Sequence, residues 1–467
     1  MTDSGNRNTL RLPKTVSKTQ KTARKRAGAR ARAVEQRRLS SEQPPGRPRK
    51  RPASQKPSPV AHKHSPNVAT KQAAESGASL QNIALIKGPN FPLFIPCPRG
   101  LEETLKNELL ELGFNSVQLE RSGCALETNW EGAMRINLYS RIATRVLLKV
   151  GMADVRQEND IYELAMQIAW EEWFGPKESL RVDTSAIQSP MRSLQYCNLL
   201  AKDAICDRLR NKEGARPSVD TVRPDARVHL FLDQSSAHFY LDTSGESLFK
   251  RGWRFSKGEA PIRENLAAGM LALSNWNPEQ AFLDPFCGSG TILVEAATIA
   301  YGLAPGRNRP FAFQRLRNYE PELWKQLIEE TENHSQTTEV APIYGSDLDP
   351  AALEAAKQNI DKAGLPPEAI QLQIAEASTL RPPAPEGHII TNPPYGERLS
   401  QSDAAFWDEF ASNLKQHFHN WQINIISNDF ELPQKMRLRP RRRHPLFNGP
   451  LDCRLFVFDI VAQQYRP

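Results

Sequence analysis

The 467-residue chain is long enough for two or three domains, and its formal net charge is +8. No stretch approaches the roughly 18 apolar residues of a membrane-spanning helix, and the N-terminus lacks the apolar segment of a secretory signal, so we expect a cytoplasmic protein. The six cysteines lie far apart without a CxxC pair, which argues against a disulfide framework and a zinc site, and no metal is expected.

The first 80 residues are strongly basic. They contain 19 Lys and Arg against 4 Asp and Glu, a net charge of +15, whereas the remainder has 42 against 49, a net charge of −7. Scarcely any aromatic or branched apolar side chain is present to offset chain entropy, so we predict a disordered basic tail over residues 1–85. Such a tail suits an electrostatic arm for nucleic acid, a solubilising segment or an organellar transit peptide.

Strand and helix patterns alternate from residue 90 to about residue 250. Phe91–Ile95 reads as a strand, and residues 101–113 read as an amphipathic helix. Further strands are predicted at 117–119, 124–128, 179–187, 226–233 and 237–245, and further helices at 130–142, 160–174 and 194–210. This pattern indicates a mixed α+β lobe.

A second domain is predicted over about residues 255–467. "QAFLDPFCGSG" reads as a strand that enters a glycine turn, and "TILVEAATIAYG" reads as the helix after it. In the next unit a strand ends at Asp347, Asp349 is the helix N-cap, Pro350 takes the first helical position and Gly364 follows the helix. Two such units predict a doubly wound, Rossmann-like α/β domain with a parallel sheet.

The glycine turn is the predicted ligand site of this domain, because ligands bind beyond the carboxyl ends of the strands in such a sheet. Gly288 and Gly290 allow close approach of the backbone, and Asp347 can accept hydrogen bonds from ribose hydroxyls. A dinucleotide site is disfavoured because "GSGTIL" lacks a third glycine and Asp347 lies 63 residues after Asp284. No GK[ST] follows, which excludes a P-loop. A nucleoside site and a purely structural turn both remain open at this point.

The segment "HIITNPPYGER", residues 388–398, suits a planar base. A strand ends at Asn392, and Pro393 and Pro394 fix the backbone so that the Asn392 amide and the Pro393 carbonyl point outward. Tyr395 offers a flat stacking face. Two acceptors and an aromatic ring together fit a nucleobase that carries an exocyclic amine.

"DPFCGSG" and "NPPY", in this order, resemble the class I S-adenosylmethionine-dependent methyltransferases that modify amino groups of nucleobases. Over about residues 90–462 the chain resembles the bacterial ribosomal RNA large-subunit methyltransferase L family, through "SLQYCNLLAKDAICDRLR", "APIRENLAAGML", "YGSDLDPAALEAAKQNIDKAG" and "TNPPYGERL". The resemblance implies a ferredoxin-like and THUMP RNA-binding region at 90–250, followed by a Rossmann-like methyltransferase domain. It also implies S-adenosyl-L-methionine as cofactor and N2-methylguanosine in large-subunit (23S) ribosomal RNA as product.

The same resemblance assigns site residues. Five should bind the cofactor: Asp284, Gly288 and Gly290 at its methionine end, Asp347 at the ribose, and Glu376 at the adenine. Glu376 stands where Asp is usual in the family. Asn392, Pro393, Pro394 and Tyr395 should clamp the target base. Some family members carry a second, C-terminal methyltransferase that makes N7-methylguanosine, and we expect that activity to be missing because the sequence stops at Pro467.

Basic side chains are candidates for contacts with RNA phosphates, although a solvated basic face has the same appearance in sequence. The candidates are Arg192, Lys202, Arg251, Arg254, Arg441, Arg442 and Arg443. Three other functions stay open: the same reaction on transfer RNA, adenine-N6 methylation of DNA, and binding without catalysis. The DNA alternative is disfavoured because the sequence shows no DNA target-recognition domain.

Overall fold

The computed structural model describes residues 80–85, 89–255, 262–334, 340–394 and 403–461. All of them belong to one unit of the chain, Ala78–Pro467. The tail predicted over residues 1–85 lies outside the described residues apart from 80–85, and so does Tyr395 of the predicted base clamp.

An eight-stranded sheet forms the front lobe. Its strands are β1 (Ala84–Leu85), β2 (Phe91–Pro96), β3 (Gln118–Glu120), β4 (Gly123–Thr128), β5 (Leu147–Asp154), β6 (Leu180–Ala186), β7 (Ala226–Leu232) and β8 (Ser236–Asp242). The order across the sheet is β3-β4-β2-β5-β8-β7-β6, with β1 paired to β5. β6 and β7 are parallel, and the other neighbours are antiparallel. The predicted α+β lobe is therefore confirmed.

Helices of this lobe share one hydrophobic core with the sheet. They are α1 (Glu102–Glu111), α2 (Trp130–Tyr139), α3 (Glu158–Gln167) and α4 (Leu194–Glu213). Along β2, side chains alternate between buried and partly exposed, as expected for a strand with one face on the core. Buried Leu93 and Ile95 of β2 belong to the same cluster as Leu105 and Leu109 of α1.

α2 ends three residues before the Ile142 terminus that its sequence predicts. Glu108 of α1 accepts a hydrogen bond from the Ser140 hydroxyl and, at 2.6 Å, one from the backbone N–H of Arg141. These donors turn away from the helix axis to reach the carboxylate, so the helix stops at Tyr139. A contact between distant parts of the chain has overridden local helix propensity.

The helix predicted over residues 160–174 is divided in the structure. α3 ends at Gln167, and residues 170–172 form a separate 3₁₀ turn. The Trp170 side chain is fully buried, and its indole N–H donates to the Ala165 carbonyl oxygen at 2.7 Å. Folding back in this way satisfies the only polar atom of the indole, which a straight helix would not do.

The second sheet has seven strands and the predicted doubly wound character. Its strands are β9 (Ala281–Asp284), β10 (Ile343–Asp347), β11 (Gln371–Ile374), β12 (Gly387–Thr391), β13 (Trp421–Ser427), β14 (Arg442–Asn448) and β15 (Leu451–Ile460). The order is β11-β10-β9-β12-β13-β15-β14. The first five strands in this order are parallel, and the hairpin of β14 and β15 is antiparallel. The Rossmann-like prediction is confirmed.

Helices connect the strands of this sheet. They are α5 (Glu264–Leu273), α6 (Thr291–Ala300), α7 (Pro321–His334), α8 (Pro350–Lys362), α9 (Asp403–His417) and the short α10 (Leu432–Lys435). In the part of the chain that the structure describes, no helix is both long and apolar enough to cross a membrane.

The capping signals of α8 act as predicted. The Asp349 carboxylate accepts a hydrogen bond from the Ala351 N–H at 2.9 Å, and Pro350 occupies the first helical position. The helix ends at Lys362, and Gly364 follows with φ of +67°, a conformation that glycine adopts without strain. This unit directs the end of β10 towards the edge of the sheet where the glycine turn lies.

Candidate active site

Three strands end side by side at one edge of the parallel sheet. Asp347 is the last residue of β10, Asp284 the last of β9 and Thr391 the last of β12, and these strands are consecutive neighbours in the sheet. The carboxyl ends of parallel strands meet at one edge, which is where ligands bind in doubly wound folds. Asp284 and Asp347, which are predicted to bind the cofactor, and Asn392, which begins the predicted base clamp after Thr391, therefore lie at the same edge of the sheet.

The glycine turn links β9 to α6 with two residues in the left-handed region. φ is +52° at Gly288 and +77° at Gly290, and the Gly290 N–H donates to the Cys287 carbonyl oxygen at 2.8 Å. A Cβ at Gly290 would lie 3.1 Å from the Ala356 Cβ, whereas a Cβ at Gly288 would meet nothing within 4 Å. The turn is therefore packed against α8 at Gly290 and open at Gly288, on the side where a ligand can approach.

The Asp347 carboxylate accepts hydrogen bonds within the protein that its position in the sequence did not indicate. One carboxylate oxygen accepts from the Gly288 N–H at 2.9 Å, and the other accepts from the Asp349 N–H at 3.0 Å. The carboxylate thus holds the glycine turn against the end of β10. Each oxygen has a further lone pair, so these bonds leave acceptor capacity for the predicted ribose contact.

Asp284 is buried, and its carboxylate is held from two sides. Oδ1 accepts from the Thr391 hydroxyl at 2.6 Å and from the Phe286 N–H at 3.1 Å, and the residue is 1% exposed. Burial raises the pKa of Asp284 to about 7 and the neighbouring Asp347 carboxylate adds to the rise, whereas the two hydrogen bonds oppose it. The protonation state of Asp284 therefore depends on the groups that surround its carboxylate.

The predicted base clamp begins directly after β12. Asn392 is half-buried, Pro393 is buried and Pro394 is exposed. The side-chain oxygen Oδ1 of Asn392 is buried yet accepts no hydrogen bond from any residue with a described position. A buried polar atom without a partner costs about 1–3 kcal/mol, and a ligand that supplied the missing donor would recover that cost. Asn392, directly after Thr391, therefore has an acceptor that no residue with a described position satisfies.

Two exposed apolar side chains lie beside Asp347, and the sequence interpretation missed them. Leu348 follows Asp347 directly, and Ile374 is the register partner of Asp347 at the end of β11. Both are 63% exposed. Glu376, predicted to face the adenine, lies two residues beyond Ile374 and is exposed. The signal was present in "SDLDP", where one leucine stands between two aspartates at the end of a strand.

The structure separates the predicted RNA-contacting residues into internal and exposed groups. Arg192 is exposed, and Lys202 is partly exposed beside Asp203, with 2.7 Å between Nζ and the carboxylate. Arg441, Arg442 and Arg443 are all exposed, at the start of the edge strand β14 or directly before it. These five stay predictions.

Arg251 and Arg254, also predicted to contact RNA, direct their guanidinium groups at carboxylates within the protein. Arg251 is 3% exposed, and its Nε lies 3.2 Å from the Glu295 carboxylate, which is also buried. Arg254 donates from Nε to Glu264 at 2.8 Å and from Nη2 to the Thr291 hydroxyl at 2.9 Å. Both guanidinium groups bind carboxylates within the protein, where an unpaired carboxylate would be destabilising. Sequence alone does not distinguish such an arginine from one on the surface.

A metal-dependent site finds no support among the residues for which positions are described. They contain no group of three or more His, Cys, Asp or Glu side chains that could hold a metal ion. The six cysteines are all buried free thiols.

Three known domain families match this chain in succession. The RlmL ferredoxin-like domain matches residues 92–147, the THUMP domain residues 155–242, and the RMKL-like methyltransferase domain residues 251–456. Among solved structures, a putative methyltransferase complexed with SAH is similar over 81% of this chain and 100% of its own, with a TM-score of 0.74 and 28% identity.

Curated relatives cover the same region. "Ribosomal RNA large subunit methyltransferase K/L" of Methylococcus capsulatus is 37% identical over 80% of this chain, which spans only 52% of that relative. "Putative RNA methyltransferase slr0064" of Synechocystis is 34% identical over 79% of this chain and 97% of its own length. Because the order of the three domains and the near-complete match to a relative agree with the motifs at the sheet edge, the chain belongs to the ribosomal RNA large-subunit methyltransferase L family.

Proposed function

We propose that this protein uses S-adenosyl-L-methionine to methylate the N2 amine of a guanine in large-subunit (23S) ribosomal RNA. One observation carries the assignment of the reaction: the buried Asn392 Oδ1, an acceptor without a partner among the described residues, directly after the end of β12. An exocyclic amine is the complement that this acceptor lacks. The names and domains of the relatives support RNA as the substrate, and the RNA class and the guanine N2 position are our proposal.

The residues at the edge of the sheet fit this cofactor. Gly288 leaves open space over the turn, Asp347 retains acceptor capacity for ribose hydroxyls, and exposed Leu348 and Ile374 provide apolar surface for an adenine. We assign the methionine end to Asp284 and the turn of Gly288 and Gly290. When bound, the cofactor supplies a methyl group on a sulfonium that is already activated for transfer.

The chain's own contribution to the chemistry is positioning and hydrogen-bond acceptance, and the proton that the amine loses passes to solvent after the methyl group has been transferred. The guanine N2 amine is a poor nucleophile because its lone pair is delocalised into the ring. Asn392 Oδ1 and the Pro393 carbonyl oxygen, by accepting the amine hydrogens, favour the pyramidal form in which the lone pair is available. Alignment of two reactants supplies most of the remaining acceleration, so the reaction needs no nucleophilic side chain. From its sequence position, Tyr395 is assigned to stack on the base.

The activity is tested by incubating the purified protein and the methyl donor with protein-free large-subunit RNA, transfer RNA and DNA in parallel. Mass spectrometry of the digested nucleosides identifies the product. We expect N2-methylguanosine from the large-subunit RNA. The same nucleoside from transfer RNA alone would reassign the substrate, and N6-methyladenosine would reassign the base. Nucleosides from a strain lacking the gene supply the complementary measurement.

Loss of the exposed arginines at the start of β14 is expected to weaken RNA binding without affecting cofactor binding. Each phosphate contact that is removed should lower the slope of log affinity against log salt by about 0.7–0.9, uniformly across RNA sequences. Filter binding of the double variant Arg442→Ala, Arg443→Ala over a salt series measures this slope. Lys325→Ala on α7, another highly exposed cation, is the matched control. An unchanged slope in the double variant would remove these arginines from the RNA interface.

A further inference from the structure

Thr391 connects the predicted cofactor side of the site to the predicted base side. It is the last residue of β12, it is fully buried, and Asn392 follows it directly. Its hydroxyl donates to Asp284 Oδ1 at 2.6 Å across the boundary between β12 and β9. A short hydrogen bond between two buried side chains at the ends of adjacent strands fixes both strand ends relative to each other.

We propose that Thr391 is a positioning residue whose hydroxyl keeps the Asp284 carboxylate ionised and oriented for the ammonium group at the methionine end of the cofactor. The proposal rests on the proposed function in one respect, namely that Asp284 lies at that end of the cofactor. Among the residues with described positions, the two donors to the Asp284 carboxylate, the Thr391 hydroxyl and the Phe286 N–H, both donate to Oδ1. Oδ2 is therefore the oxygen that we assign to the ammonium group.

The surroundings of Asp284 explain why its carboxylate needs a donor. Burial and the Asp347 carboxylate both raise the pKa of Asp284, which reaches about 7 even with Thr391 in place. Cys287, in the adjoining turn, adds no negative charge, because burial raises the pKa of its thiol and keeps it neutral. Among the residues with described positions, the donors that stabilise the ionised form are the Thr391 hydroxyl and the Phe286 N–H.

The direction of the pH effect follows from this arrangement. A cationic ammonium binds the ionised carboxylate better than the neutral acid, so affinity should rise as pH increases through about 7, the pKa of Asp284. Without the Thr391 hydroxyl the ionised form loses a donor, so the pKa of Asp284 should rise further. The increase in affinity should then occur at higher pH, and the difference in affinity between the two proteins should become smaller once Asp284 is ionised in both.

The test is calorimetric titration of the full chain with S-adenosylhomocysteine from about pH 5 to about pH 9, a range that includes the ionisation of Asp284. This probe carries the ammonium group without the sulfonium charge. For Thr391→Val we expect the midpoint of the affinity change to move up by about 1 pH unit, with up to about tenfold weaker binding near pH 7. Thr391→Ser, which keeps the hydroxyl, should restore the wild-type midpoint.

Two further variants keep the result interpretable. Thr331→Val removes another buried threonine hydroxyl, which donates to the Ile328 carbonyl on α7, and should leave the midpoint unchanged. If Thr391→Val does not fold, Thr391→Cys, with its weaker donor, should show a smaller upward shift. A Thr391→Val profile that coincides with wild type, or one weakened equally at every pH, would overturn the proposal.

Failure of the proposed function gives a different result. If the midpoint shifts as expected but nucleoside analysis yields no N2-methylguanosine, the positioning role of Thr391 stands and the assigned substrate is wrong. If wild-type affinity does not change with pH, Asp284 does not face the ammonium group, and the inference about Thr391 is overturned even where the methylated product is found.

Discussion

Asn392→Ala is expected to slow methyl transfer by roughly 10²- to 10³-fold, the cost of losing one preorganised polar group that acts mainly in the transition state. The physical reason is the buried Oδ1, which has no partner among the residues with described positions and accepts an amine hydrogen in the proposed reaction. Single-turnover kinetics with saturating RNA and methyl donor measure the rate of the chemical step. Cofactor affinity should change little, because the hydrogen bonds of Asp347 and Asp284 do not involve Asn392.

Asn392→Asp is the informative companion variant. Its carboxylate retains an acceptor at the same position, so it should transfer methyl groups faster than Asn392→Ala. Equal melting temperatures and equal affinity for S-adenosylhomocysteine would show that both variants are folded and loaded. A wild-type rate for Asn392→Ala would rule out the clamp and reopen the question of which base enters the site.

Local signals in the sequence predicted much of the second sheet. Asp349, Pro350 and Gly364 predicted the limits of α8 because capping depends only on residues within one turn of the helix end. The glycine turn and "NPPY" likewise indicated where β9 and β12 end, since both follow short buried strands. Features of this kind depend only on residues close by in the chain, so a single sequence is sufficient to predict them.

Features that depend on distant partners were not predictable. Nothing near Tyr139 shows that Glu108, about thirty residues earlier, will end α2 by accepting hydrogen bonds from the following residues. Arg251 and Arg254 stand in a stretch that looks like a basic surface, but their carboxylate partners are Glu295 and Glu264, which only the folded chain brings near. Charge is visible in sequence, whereas burial of that charge is a property of the tertiary structure.

The candidate site shows the same division. The residue types at the ends of β9, β10 and β12 were predictable, because each chemistry-bearing residue follows its own strand. The contacts among them were not: Thr391 with Asp284 joins residues 107 positions apart, and Asp347 with the Gly288 N–H joins residues 59 positions apart. These two hydrogen bonds connect three strand ends, so the geometry of the site depends on the sheet order as much as on the motifs.

Asp347→Ala is expected to weaken S-adenosylhomocysteine binding by about 10²-fold or more. Each hydrogen bond to a charged group contributes about 1.5–3 kcal/mol, and the variant loses the proposed ribose contacts together with the acceptor that holds the Gly288 N–H. Titration calorimetry measures the loss, and RNA binding should persist because the exposed arginines of β14 are untouched.

The neighbouring aspartate provides the control for this last experiment. Asp349→Ala removes the N-cap of α8, which should cost about 1 kcal/mol of stability and lower the melting temperature while leaving cofactor affinity near wild type. Asp347→Asn, which keeps one acceptor oxygen, should bind with intermediate affinity. Asp347 and Asp349 lie two residues apart on the same turn, so comparing their variants distinguishes a role in cofactor binding from a role in folding. A full hydrogen bond to a charged group is worth about tenfold or more in affinity. If Asp347→Ala binds S-adenosylhomocysteine within about twofold of wild type, the Asp347 carboxylate holds the glycine turn and does not contact the cofactor.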